Sequence, residues 1–311
     1  MDLSARLLRL PVLAVSVLML AGPGVPAVAG GAEDPLGGEV VLGKVAGIKY
    51  VAESLAVGTG GTHAPPAEQA SIACGGHASG WHVSVGGARM SGGAASNSIT
   101  TLRPLDLDAM FESPDDDVPD DWWDATVRSV VGRTLTGYAL CTKTTLTYVR
   151  NDVPADMTTD RSATVTCPAN RHLVGGGGFI ATTDSRLVSS FPVDDRTWKI
   201  RVFDSIGGAG GMNGYAVCRK AGKVSHVSSR TTGVAADTAG RATVMCPASR
   251  HVIGGGGRIS GTVSQGALAE SRPVDGKDRD HVPDDGWRVV GYNHGGAAKT
   301  VTASALCVTK G

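Results

Sequence analysis

One cysteine-framed pattern occurs three times in this chain, and a chain written as a repeat folds as repeated units. The second copy opens Ala163-Thr-Val-Thr-Cys167-Pro-Ala-Asn-Arg-His172-Leu-Val-Gly175-Gly-Gly-Gly178 and closes Gly214-Tyr-Ala-Val-Cys218. The third opens Ala242-Thr-Val-Met-Cys246-Pro-Ala-Ser-Arg-His251-Val-Ile-Gly254-Gly-Gly-Gly257 and closes Ala303-Ser-Ala-Leu-Cys307. The first is worn: Ala70-Ser-Ile-Ala-Cys74, then His82 and Gly86-Gly87, closing Gly137-Tyr-Ala-Leu-Cys141. Midway through each copy comes a proline step, at Arg103-Pro104-Leu105, Phe191-Pro192-Val193 and Arg272-Pro273-Val274. A tryptophan run follows, starting at Trp123, Trp198 and Trp287.

Short alternating runs of apolar and polar residues, rich in Val, Ile, Thr and Tyr and bounded by Gly, Pro and Asp, are strands. No sustained helical period is present, so the class is all-β. Each unit reads as about four strands. They are a lead strand (around Tyr50, Tyr148 and Val224–Val227), the opening-cysteine strand with its glycine continuation, the tryptophan strand and the closing-cysteine strand. One unit is expected to make one small antiparallel sheet. Such a sheet cannot bury both faces alone. The expectation is therefore three Greek-key-like sheets around a pseudo-threefold axis, a β-prism, with beads on a string as the rival. The units are placed at 44–142, 143–220 and 221–311.

The N-terminus reads as a secretory leader over residues 1–29: Arg6 and Arg9, an apolar stretch from Leu10 to Ala21, and the small-residue site Ala27-Val28-Ala29. The apolar stretch is shorter than the ~20 residues a membrane span needs, so no transmembrane anchor is expected. Residues 30–43 are expected to be loose. The chain has 29 basic and 29 acidic residues, a balance that makes no electrostatic case for nucleic acid. An even cysteine number in a secreted chain favours disulfides. The repeat makes Cys74–Cys141, Cys167–Cys218 and Cys246–Cys307 the simplest arrangement, with free buried thiols as the alternative.

The order Cys-Pro-x-x-x-His-x-Val/Ile-Gly-Gly-Gly-Gly, Pro-Val-Asp, tryptophan strand, Tyr-Ala-x-Cys resembles a repeat found in secreted actinobacterial proteins. More distantly, three cysteine-framed units resemble the vitelline membrane outer layer protein I family. That family is a β-prism of three Greek-key sheets, and β-prisms often bind carbohydrate or coat a surface. The resemblance spans roughly residues 45–311. It implies a glycan or cell-envelope partner.

Candidate chemistry is sparse. Acidic loops occur at Asp115–Asp121 and at Asp280–Asp285, and Asp120, Asp121, Asp284 and Asp285 are the candidate ligands of a calcium ion, which wants six to eight oxygens. Their spacing matches no EF-hand, and Asp and Pro also serve turns. His82, His172 and His251 recur by repeat and would have to meet at an axis to hold zinc. The glycine runs lack the Gly-Lys-Ser/Thr ending and the helix of a phosphate loop; glycine in a strand marks close backbone approach instead. His82-Val-Ser84-Val-Gly86 only weakly echoes a nucleophile elbow, so no catalytic residue is assigned. Aromatics are only 5% of the chain. A sugar platform would have to use Trp81, Trp122 or a tyrosine, and Trp122, beside the first acidic loop, is the candidate ligand contact. The expectation is a secreted, non-catalytic binding or structural module, against an extracellular hydrolase using loop carboxylates.

Overall fold

The computed structural model describes residues 38–309 apart from 46, 57–66, 76–78, 93–96, 107–117, 120, 130–132, 157, 181, 183–184, 206–209, 221, 223, 277 and 279. The leader, Asp115–Asp117 and Asp120 lie outside the described residues. Each repeat supplies six strands in one order: lead, opening-cysteine, glycine, proline, tryptophan and closing-cysteine. In the first repeat these are β2 (Ile48–Ala56), β3 (Ala67–Ala73), β4 (His82–Met90), β5 (Ser98–Leu105), β6 (Trp122–Arg128) and β7 (Thr134–Thr142). An extra strand, β1 (Gly38–Val45), precedes them and pairs with β2, so the segment expected to be loose is a strand from Gly38 onward. The second repeat gives β8 (Leu146–Val153), β9 (Asp160–Thr166), β10 (His172–Ile180), β11 (Ser185–Pro192), β12 (Thr197–Asp204) and β13 (Met212–Arg219). The third gives β14 (Val224–Val234), β15 (Thr238–Met245), β16 (Arg250–Ile259), β17 (Gly266–Val274), β18 (Gly286–Asn293) and β19 (Lys299–Thr309).

The expectation of four strands per unit is corrected by local chemistry. The proline step is itself a strand. The opening-cysteine and glycine runs are separate strands, parted in the second and third repeats by a tight turn. In that turn Pro168 and Pro247 carbonyls accept from Arg171 and Arg250 amides at 3.2 and 3.1 Å. Asn170 and Ser249 take φ of 64° and 67° there, a region Asn tolerates better than most residues.

All strand pairings are antiparallel and fall into three sheets: β1-β2-β7-β4-β17-β18-β15, β3-β6-β5-β10-β13-β8 and β14-β19-β16-β11-β12-β9. We refer to these as the first, second and third sheets. The three-sheet, all-β expectation holds, but the division of labour differs from one unit per sheet. Every repeat splits in two. Its lead, closing-cysteine and glycine strands enter one sheet, and its proline, tryptophan and opening-cysteine strands enter another. Each sheet therefore joins halves of two repeats, edge to edge, through β4·β17, β10·β5 and β11·β16. The third repeat closes onto the first, so the chain forms a ring.

The glycines explain why this arrangement is sterically allowed. At Gly87, Gly177 and Gly256 an added Cβ would overlap the carbonyl oxygen of Ser271, Leu102 or Ser190 across the junction. At Gly86, Gly176 and Gly255 it would overlap the ring of Trp123, Trp198 or Trp287. Each repeat is thus a two-layer sandwich whose tryptophan, nearly or wholly buried, packs against its own glycine strand. Burying 150–250 Å² of indole at ~25 cal/mol/Å² is worth about 4–6 kcal/mol each. Further in, Gly175 faces the Ser84 carbonyl and Gly254 the Val174 carbonyl, where the glycine strands converge.

The disulfides are Cys74–Cys141, Cys167–Cys218 and Cys246–Cys307, with S–S separations of 2.00, 2.05 and 1.97 Å. Because each opening-cysteine strand and its closing partner lie in different sheets, every bridge stitches two sheets together. Their sequence separations of 67, 51 and 61 residues correspond to about 4 kcal/mol each in the chain-entropy picture.

Candidate binding site

Among the described residues, the acids of the two loops do not pool into one site. Asp121 sits in the first repeat, buried, with its carbonyl accepting from the Cys74 amide at 2.9 Å; Asp285 holds the same place in the third, accepting from Cys246 at 2.7 Å. Asp284 is fully buried and pairs with the buried His251 Nδ1. Its counterpart in the second repeat is the half-exposed pair His172 Nδ1–Asp195 Oδ2, 3.6 Å apart. The carboxylates that do approach one another in the third repeat are Asp275, Asp278 and Asp285, and Asp278, Asp280 and Asp284. Burial first, and then the charges of Asp278, Asp280 and Asp285, push the Asp275 carboxyl up. Asp285 Oδ2 accepts from the Gly276 amide at 2.7 Å and Asp280 Oδ1 from the Val282 amide at 2.8 Å, which is turn chemistry. Among the described residues, no cluster able to hold a metal includes a histidine, so the three repeat histidines are not brought together.

The other sequence candidates serve the scaffold. Ser84 is buried, and its hydroxyl donates to the Leu140 carbonyl at 2.9 Å. Trp122 is half-buried, and its indole nitrogen is shut off from solvent. Trp81 is boxed by the ammonium groups of Lys44, Lys49 and Lys143 at 5.4–5.5 Å from the ring. Tyr50, whose hydroxyl donates to the Val252 carbonyl at 2.7 Å, has its pKa raised well above the usual value, first by burial and then by Asp284, Asp285 and Asp280. None of these offers a bare aromatic platform for a sugar ring.

The outer faces of the sheets differ, and the difference makes a site. Strand register lays one transverse row across each sheet at equivalent positions. In the second sheet the row is Asp152, Asn213, Phe179, Thr101 and Thr126. In the first it is Ser54, Thr136, Arg89, Glu270 and Val290. In the third it is Arg230, Thr302, Arg258, Ser189 and Arg201. Only the third row carries three arginines. One step along the closing strand, the outward residue is Tyr138 in the first sheet and Tyr215 in the second, both nearly buried, but Ser304 in the third.

On that third sheet lies a groove of about 710 Å³ that runs from β14 across β19, β16 and β11 to β12. Ser189 and Phe191 make its floor, Arg258 stacks on the Phe191 ring at 5.0 Å, and Lys199, Arg201 and Arg230 stand around it. Ser228, Ser260, Thr300 and Thr302 bring hydroxyls, Val188, Ser229, Ile259 and Gly261 complete the lining, and no carboxylate is among the lining residues. Asp160 lies outside the lining and grips Arg201 with two hydrogen bonds of 2.9 and 2.5 Å. That grip raises the Arg201 pKa and fixes its guanidinium plane. Sequence reasoning missed this groove. Its signals were present in the closing motif, where Ser304 stands for tyrosine, and in Trp198-Lys-Ile-Arg-Val202, where two cations alternate on the outward face. No protein-family model matches the chain, and a search of curated proteins finds no significant match.

Proposed function

We propose that this chain is a secreted, non-catalytic binding module that holds a carbohydrate chain in the groove of the third sheet. One observation carries the reading: an open groove of about 710 Å³, walled by strands of two repeats, whose polar lining is hydroxyls and cations. Ligand sites are concave and largely preformed, with a few polar groups that fix orientation, and a groove on strands is held more rigidly than one on loops. Three disulfides suit an oxidising compartment, in keeping with the leader read from the sequence. The polar groups of the lining are Ser, Thr, Arg and Lys, which suit holding a ligand and do not supply the paired carboxylates of glycoside hydrolysis. The loop acids on which a hydrolase would draw stand in separate loops, with Asp121 and Asp284 buried.

The test is a glycan array probed with the mature protein, followed by titration calorimetry on the hits and an assay for released reducing ends. Saturable binding without release is expected. Thr302→Trp, which fills the middle of the groove from a half-buried position, should weaken binding at least about tenfold, whereas Trp122→Ala should leave it intact. Absence of binding to any glycan, or steady release of product, overturns the reading.

A further inference from the structure

We infer that the ligand of the groove is an anionic polysaccharide, sulfated or carboxylated, laid across the strands of the third sheet; this rests on the groove being the binding site proposed above. The chain as a whole is neutral, yet four cations, Lys199, Arg201, Arg230 and Arg258, stand around one groove with no acid in its lining. Asp160 engages Arg201. Among the described residues no carboxylate forms an ion pair with Lys199, Arg230 or Arg258, so the groove keeps a net positive potential. Such a wall concentrates anions and steers them in.

The arrangement also carries a spacing. Arg230, Arg258 and Arg201 lie on one register row, each two strands from the next, hence about 10 Å apart at the backbone. That is roughly the repeat of a disaccharide, so a chain with one anionic group per disaccharide meets one arginine after another. Guanidinium groups grip pairs of oxygens on carboxylate and on tetrahedral oxyanions such as sulfate with paired donors. The hydroxyls of Ser189, Ser228, Ser260 and Thr300 between them suit sugar hydroxyls. Nucleic acid, the other common polyanion, is disfavoured by the same lining. Single strands bind on aromatic faces, and the one aromatic here, Phe191, is nearly buried beneath Arg258.

The experiment compares dextran sulfate, neutral dextran and a single-stranded oligothymidine by calorimetry at several salt concentrations. Dextran sulfate should bind at least about tenfold more tightly than neutral dextran. Its log Kd should rise with log salt at a slope of about 2, as counterion release at three or so cations predicts. The double variant Arg230→Ser/Arg258→Ser should lose at least about tenfold and flatten the slope, while Arg230→Lys/Arg258→Lys should keep most of the affinity. Both variants change outward side chains, and an unchanged Tm verifies their folding. Equal binding of neutral dextran overturns the anionic inference and leaves the binding-module reading standing. Oligothymidine binding as tightly as dextran sulfate overturns it in favour of nucleic acid. No binding of any glycan brings down both.

Discussion

At the scale of single residues, the three repeats act as one another's controls. Trp198 and Trp287 donate their indole N–H to Ser190 and Ser271 at 3.1 and 3.0 Å. The first repeat has Leu102 at that place, and the Trp123 nitrogen has no acceptor among the described residues. The lead strands show the same logic. Tyr50 and Tyr148 reach the Val252 and Val83 carbonyls at 2.7 and 2.6 Å, each on the glycine strand of the preceding repeat in the ring. The third repeat has His226, half-buried, whose Nε2 has no hydrogen-bond partner among the described residues, and burial lowers its pKa below the usual histidine value despite the nearby Asp194. A lowered folded pKa means that the unfolded chain takes up the proton first as pH falls through about 6.5, so stability drops with acid. His226→Tyr should remove part of that acid loss and add about 1 kcal/mol at neutral pH through a hydroxyl–carbonyl bond to Leu173. Urea denaturation at pH 7 and pH 5 checks both; an unchanged pH dependence refutes the account.

At the scale of elements, the strands and their faces were legible and their partners were not. Alternation in Trp198-Lys-Ile-Arg-Val202 states which side chains face inward, and β12 obeys it residue by residue. The cysteine pairing followed from the repeat. Alternation carries no information about which edge a strand pairs with, however, and register is set by the fit of facing sides in space. Hence the assignment of one sheet per repeat failed at the glycine runs, where two repeats meet. The groove has only partial signals in the sequence for the same reason: its arginines come from strands far apart in the chain. Trp122, the candidate contact, heads strand β6 half-buried, with its indole nitrogen shut off from solvent. The junction itself makes a sharp claim. Gly256→Ala would drive a methyl into the Ser190 carbonyl across β16 and β11, where neither backbone can retreat without losing its ladder. The cost should exceed about 3 kcal/mol, at the upper end of overpacking effects. Gly233→Ala, where φ is 71° but an added Cβ meets nothing within 4 Å, should cost about 1 kcal/mol. Thermal melts of the two variants compare them directly.

At the scale of the whole molecule, continuity of the ring matters more than continuity of the chain. The repeats are joined by short connections, from Thr142 to Leu146 and from Arg219 to Val224. The junction hydrogen bonds and the convergence of the glycine strands are between repeats and owe nothing to those connections. A protein cut by protease between Arg219 and Val224 should therefore stay one particle of unchanged mass in size-exclusion chromatography and keep its near-ultraviolet dichroism. Fragments that drift apart without denaturant would mean that each repeat stands alone. An isolated second repeat, by contrast, should not fold, because both of its three-stranded halves would expose an unpaired edge.

A covalent tether that the assembly does not need to cohere is a tether that three separate polypeptides could do without. A single ancestral copy, trading half of its strands with two neighbours, would close the same circle as a homotrimer with threefold-identical walls. Fusing the copies frees each wall to diverge, so one can exchange a tyrosine for Ser304 and open a groove there while the other two keep Tyr138 and Tyr215.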